Sequence, residues 1–289
     1  MKTPLGRAAL ICLPVLVFLL GLAVWNPAGN FWLTVEPPKA QCEAYDTGRL
    51  RTLPALTPEV YDQRKLDRLI REPQNTLSNL AYAVTGLAIW LAGRKPASKA
   101  LGLAGIFLGF GSGVYHAALL PEWRLIDILG VYAVLYCLLL VGVGAARPEG
   151  SRAAWGWVLA LLVWSAAIYT GVHRNDVRWF GFKVFDSTYI FVAGVTAGCL
   201  LAAFAYRRAV NRRRFLTALG VMAAGAVISF AGGIGDRFGG FWAAPEFFIQ
   251  GHAVWHTFGA IALLAAYEAF AAAGFDASTR EETGRSIPG

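Results

Sequence analysis

Three of the four histidines in this 289-residue chain lie in two short apolar stretches. His116 falls in GFGSGVYHAALLPEWRLID, from Gly109 to Asp127, and His252 and His256 fall in HAVWH. On an α-helix, residues four apart lie one above the other on the same face. HAVWH therefore offers two imidazoles to one point, and His116, from another helix, is available as a third. Three histidine nitrogens are a zinc set of the catalytic kind, with the fourth position left open for water. Ser112 stands one turn before His116 and points the same way, with Gly105 and Gly109 on that face. These glycines serve either close helix packing or the approach of a ligand to the imidazole. Asp127 follows His116 across a tight PEWR connection containing Pro121, so it returns to the same depth one helix away. A carboxylate in an apolar run is costly without a partner and is a functional candidate by default. Its role is either that of a base that accepts a proton and delivers it to a leaving group or that of orienting a histidine. The rival readings are a polar network that only holds helices together and a haem protein. Haem uses two axial imidazoles, which leaves the third histidine and Asp127 unexplained. His173, in a polar loop, reads as structural.

The elements that must position these residues are membrane spans. Hydrophobic residues make up 56% of the chain and charged residues 15%, too apolar for an ordinary soluble domain. The apolar residues come in blocks of spanning length at 8–25, 76–93, 99–120, 125–146, 153–171, 188–206, 215–235 and 251–272. The expected fold is all-α, a polytopic transmembrane helix bundle. Its expected divisions are an N-terminal anchor helix at 1–25, an extramembrane segment at 26–75, a transmembrane domain at 76–273 and a tail at 274–289. A basic start followed by an apolar run also describes a signal peptide, but no small-residue cleavage site precedes Asn26 and Pro27, which favours an uncleaved anchor.

The net charge of +8 sits in short loops, which the positive-inside rule explains better than nucleic-acid binding. The loops at 94–99, 147–152 and 207–214, together with both termini, carry most of it, including Arg207, Arg208, Arg212, Arg213 and Arg214. The opposite short loops carry only Arg124, Arg174, Arg178, Lys183 and Arg237. Both termini are therefore expected on the cytoplasmic side, with His116, Asp127, His252 and His256 near the opposite face. The expected partner is the bilayer; nothing indicates a protein partner. Cys12, Cys42, Cys137 and Cys199 show no CxxC spacing and predict no disulfide framework.

EPQNTLSNL from Glu72, SGVYH with Asp127 following, HAVWH, and Asp236 in GGIGDRF together resemble the alkaline ceramidase family. That family lies within a superfamily of seven-helix membrane zinc hydrolases that also includes adiponectin-type receptors. The resemblance runs from about Cys42 to Tyr267 and makes the 8–25 helix an addition to a seven-helix core. It implies zinc on His116, His252 and His256. It further implies oxyanion stabilisation or water positioning by Ser112, and activation of the attacking water by Asp127. Ceramide as substrate, and hydrolysis of its N-acyl bond to a fatty acid and a sphingoid base, come from the resemblance alone. It also implies a calcium site through Glu43 and Glu72, carboxylates suited to a hard cation. The aspartate and tryptophan expected before Cys42 and Glu43 are Ala40 and Gln41 here, which leaves that calcium set incomplete. Gly240 stands near the place of the family's late cysteine, which leaves Cys42 without that disulfide partner. Asn75 and Asp236 are candidate structural polar residues. The alternatives are a superfamily hydrolase acting on another lipid ester or amide, and a receptor-like protein in which zinc is structural.

Overall fold

Proline sets the helix starts: Pro73, Pro96 and Pro121 each open a helix, where the missing N–H costs nothing and the fixed φ is already helical. The computed structural model of the chain describes residues 3–25, 69–146, 200–238 and 250–276, with isolated positions between 156 and 198. Among these residues the helices are α1 (Pro4–Trp25), α2 (Pro73–Ser78), α3 (Leu80–Ala92), α4 (Pro96–Ala118), α5 (Pro121–Ala146), α6 (Arg212–Phe238) and α7 (Gly251–Ala272). Five helices, α1, α4, α5, α6 and α7, are long and apolar enough to cross a membrane. The fold is a helical membrane bundle, as composition and periodicity led us to expect. One two-residue antiparallel pairing, Arg178–Trp179 with Phe182–Lys183, lies in the expected loop between 171 and 188. The expected spans at 153–171 and 188–206 fall largely outside the described residues, as do residues 26–68.

The expected span at 76–93 is built in two pieces. Asn79 stays in the right-handed helical region (φ −66°, ψ −19°) and both ends α2 and starts α3. The cause is local competition for backbone groups. Ser78 Oγ donates to the Asn75 carbonyl at 2.9 Å, and Asn79 Nδ2 donates to the same oxygen at 2.9 Å, so side chains occupy a backbone acceptor and tighten the turn.

Glycine decides how closely the helices meet. A Cβ on Gly86 of α3 would lie 2.5 Å from the Ile106 nitrogen and 2.6 Å from the Gly102 carbonyl oxygen of α4. A Cβ on Gly109 would lie 2.7 Å from the Ala83 nitrogen. Gly105 and Gly109 thus do serve backbone-to-backbone packing of α3 on α4, the arrangement that small residues permit between helices in lipid. The α4–α5 contact is similar: Gly111 meets Ile126, and Gly130 meets Leu108. Around these seams lies a core that includes Leu101, Leu108, Val141, Phe215 and Phe270. By contrast, α1 buries Ala8 alone and exposes Leu10, Ile11, Val17 and Phe18, as expected of a helix whose other neighbours are lipid.

The far end of α7 is fastened to the α3–α4 connection. Asp276 accepts hydrogen bonds from Lys95 N (3.1 Å) and Ser98 Oγ (2.8 Å) at the start of α4 and from Tyr267 Oη (2.6 Å). A carboxylate there satisfies N–H groups left over at a helix start and complements the helix dipole. The first residues of the expected tail, through Asp276, are therefore docked against the bundle.

Substitution of Gly86 by Ala should destabilise the protein by about 1–3 kcal/mol, because backbone on the facing helix cannot move aside. Gly220→Ala, where no atom lies within 4 Å of the added Cβ, should leave stability unchanged or slightly raised. Thermal unfolding of both variants in detergent tests the contrast; equal losses would contradict the close-packing account.

Candidate metal centre

The site begins with the end of a helix. The last carbonyls of α4 have no partners within the helix and are taken up by the segment just before α2. Arg71 N donates to the Ala117 carbonyl and Glu72 N to the His116 carbonyl, both at 3.1 Å. The Arg71 guanidinium donates to the Ala118 carbonyl at 2.5 Å. A cation is favoured at this negative end of the helix dipole, even though burial lowers the Arg71 pKa. Leu119 then reverses the chain in the left-handed region (φ 53°), strain that is held in place by its burial and its hydrogen bond to Tyr115.

This capture sets Glu72 against His116. Glu72 Oε2 lies 2.6 Å from His116 Nδ1 and also receives Asn75 Nδ2 at 3.1 Å. An oxygen that accepts from both is charge-assisted and strong. His116 Nδ1 therefore carries a ring proton, which leaves Nε2 as the nitrogen that can face a metal ion. That Nε2 is buried and has no hydrogen-bond partner. The same reasoning applies to His256. Ser78 Oγ gives its proton to the Asn75 carbonyl, so at 2.9 Å from His256 Nδ1 it can only accept. His256 Nδ1 is then the donor, which again leaves Nε2 as the nitrogen that can face a metal ion. Partners of this kind fix tautomer and ring orientation in histidine metal sites.

The three expected ligands come together. Ring centroids are 4.8 Å apart for His116 and His252, 5.0 Å for His116 and His256, and 4.6 Å for His252 and His256. One ligand atom from each lies within 4.8 Å of the others. The residues fit a metal ion: three imidazoles converge, each able to offer a ring nitrogen, and the buried His116 Nε2 has no other partner. They do not fit haem, because imidazoles in mutual contact leave no slot for a macrocycle between any two of them.

Ser112 is 1% exposed and its Oγ has no hydrogen-bond partner. Asp127 is half-buried in α5 and is not one of the three converging ligands. Packing of Gly111 on Ile126 sets residues 126–127 level with 111–112, so Asp127 and Ser112 share a depth. The ring of Tyr82 on α3 is edge-on to His256 at 6.3 Å.

Of the calcium candidates, Glu72 is engaged with His116 and Asn75, and Glu43 lies outside the described residues. Asn75 ties the segment together, holding Glu72 with its side chain and accepting from Ser78 and Asn79 at its carbonyl. Asp236 lies in the last turn of α6; its side chain is outside the described residues. Two residues of the site had no role assigned from sequence, Arg71 and Ser78. The sequence signal for both is the polar run REPQNTLSN, from Arg71 to Asn79, placed directly before an apolar stretch.

Ser78→Ala and Glu72→Gln should each weaken metal affinity by about 10–100-fold. Competition with a chelator of known affinity measures this without reference to activity. Unchanged affinity in both variants would show that neither side chain orients a ligand.

A search of curated proteins finds no match. The model of the ceramidase family matches residues 65–285, which takes in the Arg71–Glu72 capture, the Ser112–His116 helix and HAVWH. With three quarters of its length matched and the histidines brought to one point, the chain belongs to the ceramidase family.

Proposed function

We propose that this protein is a zinc-dependent intramembrane amidase that hydrolyses the N-acyl bond of ceramide or a related sphingolipid. The observation that carries this reading is the buried, unpartnered His116 Nε2 facing two further histidines, one turn from the equally unpartnered Ser112 Oγ. Family membership supports a ceramidase-type hydrolase and a lipid substrate. A zinc ion held by His116, His252 and His256 supplies a Lewis acid that polarises a carbonyl and lowers the pKa of water.

The remaining chemistry falls to the chain. Asp127 accepts the proton of the attacking water as its oxygen bonds to the acyl carbon, then passes that proton to the nitrogen as the C–N bond breaks. Ser112 donates to the oxygen on which negative charge develops. The products are a fatty acid and a sphingoid base. Glu72 and Ser78 hold two of the imidazoles as neutral ligands of fixed tautomer. The clustering of Arg94, Lys95 and the 207–214 arginines at the end of the bundle away from the histidines supports cytoplasmic termini and an active site near the opposite face.

The test is metal analysis of the purified protein together with fatty-acid release from labelled ceramide, for wild type, Asp127→Asn and Ser112→Ala. Wild type should bind zinc stoichiometrically and release fatty acid. Asp127→Asn should retain zinc and lose about 100–10,000-fold in kcat/KM, and Ser112→Ala about 100–1,000-fold. Zinc without lipid hydrolysis in the wild type would favour the receptor-like alternative. Full turnover in Asp127→Asn would remove that residue from the mechanism.

A further inference from the structure

A groove of about 490 Å³ lies between α6 and α7, within the size range of small-ligand sites. None of its lining residues belongs to the metal centre: along α7 it runs from Ile261, about 7.5 Å beyond His256, to Glu268, about 18 Å beyond it, at 1.5 Å per residue. The two helices supply matching faces. Arg214, Ala218 and Val221 recur at helical spacing on α6, and Ile261, Ala265 and Glu268 do so on α7. Ala218 and Ala265 are buried and form a low floor, while Val221 and Ile261 stand exposed as walls.

The groove changes character along its length. At one end Asn211, Arg213, Arg214 and Glu268 contribute to the lining; at the other the lining is Val221, Ile261 and Leu264. The polar end is cationic. Arg214 donates to Glu268, so one of the two groove arginines is matched and a net charge of about +1 remains. Glu268 is the one acidic side chain among the described residues that line the groove. Neighbouring Arg207 and Arg212 are turned onto the Phe204 and Tyr206 rings, outside the groove.

We infer that this groove is a binding site for one acidic phospholipid, with its phosphate on Arg213 and Arg214 and an acyl chain along the Ala218–Ala265 floor. Charge complementarity selects the occupant. A zwitterionic lipid brings no net charge to the remaining cation, whereas a lipid with one net negative charge neutralises it. The apolar floor beyond Thr217 requires a chain as well as a head group, which a free phosphate lacks.

The test is native mass spectrometry of the full-length protein from nanodiscs containing equal amounts of phosphatidylglycerol and phosphatidylcholine with the same acyl chains. Wild type should retain phosphatidylglycerol preferentially. Arg213→Gln/Arg214→Gln should reduce that preference at least fivefold, while Arg207→Gln/Arg208→Gln, which removes the same charge outside the groove, should leave it unchanged. Glu268→Gln should increase it, a gain that misfolding cannot imitate. Ala218→Leu, which fills the floor, should reduce lipid retention without altering the charge. Equal losses in the two arginine pairs would reveal only general attraction and overturn the site. So would an unchanged preference in Glu268→Gln, or inorganic phosphate binding that is indifferent to Ala218→Leu.

Discussion

The capture of the α4 C-terminus by Arg71 and Glu72 is the interaction on which the rest of the site depends. A helix that ends inside a bundle must find partners for its last carbonyls, because an unsatisfied buried carbonyl costs as much as a lost hydrogen bond. Here two main-chain N–H groups and a guanidinium fill that need. Since Glu72 is one of the donors, meeting this requirement also places its carboxylate against the imidazole of the captured helix end. Backbone satisfaction and histidine orientation are thus the outcome of one docking event.

Close helix approach then brings the second helix of ligands to the first. Gly86, Gly102, Gly105 and Gly109 let α3 lie directly on α4, and Gly225 and Gly232 let α6 lie against α7. Where water is absent, such seams are held by dispersion and by the few polar contacts that cross them, so a small error in spacing would move the histidines apart. The Ser78–His256 bond is one of those crossings. It joins the junction of α2 and α3 to α7 at the level of the ligands.

The two ends of the bundle are specialised in opposite ways. At one end polar groups are buried around the imidazoles, most of the side chains paired, with Ser112 Oγ and His116 Nε2 left bare. At the other, Asp276 ties α7 to the α3–α4 connection, while the arginines at the start of α6 face outward. Buried polar groups must be satisfied by the protein, whereas cations at a helix end can remain in contact with water or lipid head groups.

Much of this was legible from residue order alone. Spanning-length apolar runs announced the bundle, and the HxxxH and SxxxH spacings announced which side chains share a face, because helical periodicity is a local property. The return of Asp127 to the level of Ser112 could be read as well, since a short connection leaves little freedom of depth. The break at Asn79 was hidden, because it arises from side-chain competition inside an otherwise ordinary apolar run. Arg71 and Ser78 were hidden for a different reason: each acts on a partner more than 40 residues away. Glu72 was visible as a carboxylate, but a sequence does not say whether such a group meets a cation or an imidazole. The chain by itself therefore determined the class of the fold and the set of candidate ligands, both products of local spacing. Only the tertiary structure decided which ring nitrogens are left bare to bind, because that depends on which distant hydrogen-bond donors and acceptors helix docking sets beside them.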